Sequence, residues 1–160
     1  MAMNQAAILI PGELLPYYVV DYALDWATEN EGSLKVIFFL PKHIPSESYP
    51  FPNDLDQAEM LKESFDVEEG IKEVLKQERR YIEKRANARH VPAECVILFS
   101  PSIEDLASQV NRSEIVFVDK NIDEKADAFD GLSFTAHDLR DKLDRLLPIG
   151  EYDRYSDVVY

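Results

Sequence analysis

The chain has 160 residues and a formal charge of −14, with 46% apolar and 11% aromatic residues. That length suits one domain, and the apolar content is enough for one core, which excludes wholesale disorder. A surface this acidic repels phosphate backbones and weighs against nucleic acid as a partner.

Cys95 is the only cysteine, so no internal disulfide framework exists and a reducing compartment is expected. The start of the chain shows no basic region before an apolar stretch, and the strongest apolar run, Val36 to Leu40, is far too short to span a bilayer. The expected location is cytoplasmic, away from any membrane.

Ala6 to Ile10 is a short apolar run stopped by Pro11-Gly12, which predicts a buried strand. Val19, Val20, Ala23, Leu24 and Ala27 then recur at helical spacing, and Asn30 and Gly32 close that helix. Leu34 to Leu40 predicts a second strand. Its unbroken apolarity is what a parallel strand covered on both faces requires. Prolines 41, 45, 50 and 52 make residues 41–56 a long loop, and Tyr49-Pro50-Phe51-Pro52 on it reads as an aromatic clamp onto the domain or an anchor for a partner.

A long helix is predicted from Asp66 to about Arg89, with Ile71, Val74, Leu75, Tyr81, Ile82 and Ala86 on one stripe. Charge changes sign along this region. Residues 44–70 carry eight acidic side chains and one basic, whereas residues 71–90 carry seven basic and three acidic. The basic set is Lys72, Lys76, Arg79, Arg80, Lys84, Arg85 and Arg89. It reads as the solvated face of a helix, or as a partner for the acidic stretch Asp54 to Glu69 within or between subunits.

Cys95 to Phe99 predicts a third strand and Ile103 to about Asn111 a short helix, with Ser102 as its cap and Glu104 and Asp105 in its first turn. Glu114 to Val118 predicts a fourth strand. Residues 119–131 read as polar loop, and Thr135 to Leu147 as a last amphipathic helix with Leu139, Leu143, Leu146 and Leu147 inward. The tail Ser156 to Tyr160 reads as a fifth strand or as a frayed end. Alternation of strand and helix predicts an α/β fold with right-handed crossovers and a doubly wound open parallel sheet, helices on both faces. One domain spans residues 1–160, with its core at 6–147 and with 148–160 as tail or edge strand.

Several stretches resemble the universal stress protein family. They are Ile8-Leu9-Ile10-Pro11 for its first strand, Tyr22 to Ala27 for its first helix, Gly32 to Ile37 for its second strand and Glu114 to Val118 for its fourth. The resemblance covers residues 6–147. It implies a Rossmann-like fold of the adenine-nucleotide α-hydrolase type, strand order 3-2-1-4-5, and a role in the stress response. It also implies a homodimer paired through an edge strand, for which Asp157, Val158, Val159 and Tyr160 are the counterpart here.

Nucleotide-binding members of that family carry an aspartate where this chain has Glu13. After strand four they carry glycine, two residues, glycine, nine residues, then glycine with serine or threonine. Such glycines let backbone N–H groups approach phosphates. Here residues 119–133 contain one glycine, Gly131, among Asp119, Asp123, Glu124, Asp127 and Asp130. Carboxylates beside a triphosphate oppose binding. No ATP and no other cofactor is expected.

Open parallel sheets bind ligands beyond the strand C-termini, where the crossover direction reverses. The candidate ligand-binding residues there are Gly12, Glu13, Pro41, Ser100, Asp119, Lys120 and Asn121. No Gly-x-Ser-x-Gly, Walker or Cys-x-x-Cys pattern occurs, so no catalytic residue is assigned. His137 and Asp141 stand four apart on a helix but make only two ligands, so no metal site is assigned. The leading reading is a non-enzymatic regulatory or interaction module that binds no ATP, with itself or another protein as partner. The alternative is a small-molecule or adenine-nucleotide binder using the crevice between strands 1 and 4. A hydrolase-like enzyme of the same fold ranks third.

Overall fold

A computed structural model describes residues 4–12, 15–41, 55–124 and 126–154, and within these the side chains of 55–69 and 126–127 are left aside. Glu13, the Tyr49–Pro52 stretch and the Asp157–Tyr160 tail therefore lie outside the described residues. The elements run β1 (Gln5–Pro11), α1 (Tyr17–Glu29), β2 (Ser33–Leu40), α2 (Leu55–Ala88), β3 (Ala93–Phe99), α3 (Ile103–Gln109), β4 (Ile115–Asp119), a 3₁₀ turn (Ile122–Glu124), α4 (Ala126–Phe129), α5 (Ala136–Lys142) and β5 (Leu146–Ile149). All pairings are parallel, and the strand order is β3-β2-β1-β4-β5. Strand order and doubly wound architecture are as expected. No described helix is long and apolar enough to cross a membrane.

Successive strand residues point to opposite faces, so β1 feeds two cores. Ile8 and Ile10 join Val36, Phe38 and Phe117 on the face covered by α1 and by Leu75, Ile82 and Ala86 of α2. Ala7 and Leu9 join Ile37, Phe39, Val116 and Val118 on the face covered by α3, α4 and α5. Helices α1 and α2 lie on one face because β1, β2 and β3 step in one direction. The crossovers to β4 and β5 step the other way and leave their helices on the opposite face.

The turns that close the first two helices are dictated locally. Gly32 sits where a Cβ would stand 2.4 Å from the Asn4 carbonyl oxygen, so a side chain is excluded there. At the end of α2, His90 has φ of 56°, and the Val91 and His90 N–H groups reach back to the Ala86 and Asn87 carbonyls. This is the left-handed closure that satisfies a helix's last carbonyls, with buried Val91 as its apolar anchor.

Three predicted regions are corrected. Helix α2 begins at Leu55, eleven residues before its predicted start. The loop expected over residues 41–56 gives way at Leu55, and an acidic residue such as Asp56 is favourable near the positive end of a helix dipole. The last helix ends at Lys142 rather than Leu147, and Leu146 and Leu147 open β5, the fifth strand. Pro148 drives Leu147 out of helical geometry and is tolerated because β5 is an edge strand. Residues 119–131, expected as plain loop, hold the 3₁₀ turn and α4.

α2 is tied to α1 by charge as well as by packing. Arg85 donates to Asp21 at 2.6 Å, Arg89 pairs with Asp25, and the Leu15 N–H donates to Glu78 Oε1 at 3.1 Å. Tyr17 and Tyr81 meet edge to face at 5.0 Å, with the Arg85 guanidinium 5.4 Å from the Tyr81 ring centre. Part of the basic segment thus neutralises α1, and Arg79 pairs with Glu83 on its own helix. Ile82 is fully buried beneath these contacts. Ile82→Ala should lower unfolding stability by about 2–4 kcal/mol, read as a lower urea midpoint with an unchanged slope.

Candidate functional site

The sequence-predicted site residues that lie among the described residues fall along the C-terminal edge of the sheet. Ser100 follows β3, Pro41 follows β2, Gly12 follows β1, and Lys120 and Asn121 follow Asp119 at the end of β4. With neighbouring strands about 4.8 Å apart, Ser100 and Asp119 are separated by three spacings, roughly 14 Å. The residues form a row, not a cluster. Several are engaged through their backbones: Gly12 N–H donates to the Phe39 carbonyl, Ser100 N–H to that of Leu40 and Lys120 N–H to that of Ile149, at 2.7–2.9 Å.

Asp119 is the one charged residue of the row that is buried, at 4% exposure. Its Oδ1 accepts from the Tyr18 hydroxyl at 2.6 Å and from the Asn121 N–H at 3.0 Å. The carboxylate thereby pins α1 to the end of β4 and shapes the turn that follows. Burial raises the Tyr18 phenol well above its usual range, and its hydrogen bond to Asp119 and that carboxylate's charge add to the rise. Tyr18 was not among the predicted site residues, since a tyrosine in the first turn of a helix carries no sequence mark of a partner a hundred residues away.

At the switch point between β1 and β4, the crevice is roofed by the chain itself. A Cβ on Gly12, whose φ is +88°, would lie 3.8 Å from the Ala128 Cβ, and one on Gly131 would lie 3.1 Å from the Pro41 Cβ. The segment from α4 to Gly131 therefore crosses directly over the ends of β1 and β2. Phe129 and Phe134 then pack on Phe39, with ring centres 5.8, 6.0 and 6.1 Å apart. Phe129 is 7% exposed, Phe134 4% and Ile122 1%. Their apolar side chains, set among carboxylates in the sequence, were the available sign that this stretch folds inward.

Outside that roof lies an open groove of about 460 Å³ lined by Asp123, Asp130, Ser133, Thr135, His137 and Asp138, with Phe129 and Phe134 at its base. Three aspartates make it unfavourable for a phosphate group. Thr135 and Asp138 are occupied in a reciprocal cap of α5, each side chain accepting from the other's backbone N–H. Arg140 pairs with Asp123 at 2.6 Å. His137 and Asp141 are 3.3 Å apart on the exposed face of α5, and no group of three or more metal-ligating side chains occurs among the described residues.

Cys95 is half-buried on β3. Burial chiefly, helped by Glu83 and opposed by Arg79, pushes its thiol from 9.0 up to about 11. That is the behaviour of a packing residue rather than a nucleophile.

Two measurements follow from these environments. Tyr18→Phe should lower stability by about 1–2 kcal/mol in urea unfolding near neutral pH. Because folding raises the phenol's pKa, its contribution is complete below the unfolded value of 10.0 and declines as pH rises beyond it, so the gap between wild type and Y18F should narrow above pH 10. The thiolate fraction of Cys95 at pH 8 should slow its alkylation in the native protein by on the order of a hundredfold relative to the unfolded chain.

No family model matches the sequence, and no curated protein matches it. The fold is that of solved universal stress proteins. A protein of that family from Burkholderia pseudomallei superposes with a TM-score of 0.57 at 12% identity, covering 92% of this chain and 96% of its own. The universal stress protein UspA from Lactobacillus plantarum gives 0.55 at 11%, covering 94% and 98%. A universal stress protein in complex with cAMP aligns over 94% of this chain and 98% of its own at 0.46 and 15% identity, too loosely to carry a ligand across.

Proposed function

We propose that this chain is a universal-stress-protein-like, non-enzymatic regulatory or interaction module whose β1/β4 crevice takes no adenine nucleotide. One observation carries the reading. The segment after β4 brings Ala128 against Gly12 and Gly131 against Pro41 at the strand ends and is anchored by Phe129 and Phe134 packed on Phe39, which supports a crevice covered by the chain itself where such sheets receive ligands. Buried phenyl rings offer no hydrogen bonds to a ribose or phosphate. Opening the site would expose two aromatic side chains before a ligand gained a contact.

Electrostatics supports the same reading. Asp123 and Asp130 line the adjoining groove, and the buried Asp119 closes the end of β4. A triphosphate entering there would meet carboxylates instead of the glycine-framed N–H groups that stabilise phosphate in nucleotide-binding loops. On this reading the fold is retained for its surface, and the location is cytoplasmic.

Thermal unfolding in millimolar ATP with magnesium is the test. A ligand at a hundred times its dissociation constant adds about 2.7 kcal/mol of stability. The melting temperature should stay unchanged. A clear upward shift would overturn the proposal in favour of nucleotide binding in the crevice.

A further inference from the structure

β3 ends the sheet on the side away from β5, and no strand lies beside its outer edge among the described residues. The Leu34 N–H donates to the Pro92 carbonyl and the Ser100 N–H to that of Leu40, so the even-numbered residues along β3 bond to β2. The odd-numbered ones, among them Cys95, Ile97 and Phe99, turn their N–H and C=O groups outward.

Open edges are ordinarily blunted by shortness, proline, a bulge or charge. β5, the opposite edge, follows that rule with four residues and Pro148. β3 does not. It pairs with β2 through seven consecutive residues without a bulge, holds no proline, and carries one charged side chain, Glu94, near its start. Ile97 and Phe99 are exposed on it, Phe99 by 50%. Apolar side chains beside unpaired backbone groups are what strand addition uses.

The surroundings of this edge are basic. Ile97 and Phe99 stand in register with Phe38 and Leu40, which belong to the core beneath α1 and α2, so both side chains lie on the α2 face of the sheet. α2 turns into β3 and so runs back along it, with Arg79 and Glu83 beside Cys95. Lys76 and Lys72 precede Arg79 by three and seven residues on the same helical face, and all three cations are exposed. From Arg79 back to Lys72 the helix recedes about 11 Å. From Cys95 to Phe99 the strand advances about 13 Å. The cationic stripe therefore accompanies the exposed part of β3.

We propose that the β3 edge receives an extended, acidic segment of another protein as an added strand, its apolar side chains beside Ile97 and Phe99 and its carboxylates against Lys72, Lys76 and Arg79. Such a strand satisfies the outward backbone groups of Cys95, Ile97 and Phe99 and covers the apolar pair. A second copy of this chain would bring a charge of −14 with it. A short acidic segment meets chiefly the local stripe, because charges beyond about 10 Å are screened at moderate salt. The inference rests on the interaction role proposed above and names its partner. β3 lies two strands from β1, so peptide binding here and an ATP-induced thermal shift are separate results.

The test is fluorescence anisotropy on the full chain with a labelled peptide, Glu-Thr-Val-Thr-Val-Thr-Glu, whose order is the same in either strand direction. Wild type should bind it saturably below about 1 mM in low salt. The same peptide with lysine in place of glutamate should bind at least about tenfold more weakly. Ile97→Pro removes one outward N–H and leaves the bonds to β2 whole, since proline is tolerated on an edge. It should weaken binding about tenfold, as should Phe99→Ser through lost apolar contact and K72E/K76E through reversed charge, each variant keeping a cooperative thermal transition. Failure of the acidic peptide to bind wild type overturns the proposal, as does equal binding of the lysine peptide or undiminished binding by the folded variants. A wild-type dimer that Ile97→Pro converts to monomer would assign the edge to a second copy and overturn it as well.

Discussion

Everything in this domain is arranged around a strand that has no free side. β1 is hydrogen-bonded to β2 along its whole length and to β4 over Ala6 to Ile8, and both its faces are covered. A strand in that position has to be apolar at every residue, because neither pleat surface meets water. It also fixes where the crossovers reverse. The chain leaves β1 in one direction to build β2 and β3, then returns to its other edge to build β4 and β5. The reversal places Gly12 and Asp119 side by side at the end of the sheet.

That juncture is a cavity by construction, since the helices on either side of it diverge. Here it is closed from within. The segment following β4 carries Asp123, Glu124 and Asp130 outward and buries Ile122, Phe129 and Phe134 in the core on the face of α3, α4 and α5, with Leu132 packed beside them. Asp119 is held by Tyr18 and by the turn it initiates, so its charge is committed to joining α1 to β4. Closure and anchoring act together: Gly12 and Asp119 are buried at the end of the sheet, while Ser100, Lys120 and Asn121 on the same edge stay exposed.

Charge is distributed with similar economy on the other face. Asp21 and Asp25 of α1 are held by Arg85 and Arg89 of α2, one turn apart on each helix. Partly exposed pairs of this kind add little stability individually. What they do is fix the rotation of α2 on the sheet, which turns Leu75 and Ile82 into the core and leaves Lys76, Arg80 and Lys84 on the outside.

The unbroken apolar runs of β1, β2 and β4 and the helical spacing of Val19 to Ala27 were sufficient by themselves to determine a parallel α/β domain. Each of those signals is a local consequence of burial, and the topology follows from the handedness of crossovers. The resemblance to universal stress proteins supplied the strand order. Where local signals conflicted, only the tertiary structure decided. Leu139, Leu143, Leu146 and Leu147 fit one helical stripe, yet pairing with Val116 to Asp119 draws Leu146 to Ile149 into β5, a gain in hydrogen bonds that no helical period encodes. The proline-rich loop is expected to run to residue 56 and the helix to start at Asp66, whereas the structure carries α2 back to Leu55. The site was legible as a position and not as a state: the end of β1 and of β4 could be named, but Phe39, Phe129 and Phe134 come together from positions up to 95 residues apart. Whether that crevice stands open or filled is settled by side chains meeting across the fold, and a linear sequence carries no distance between them.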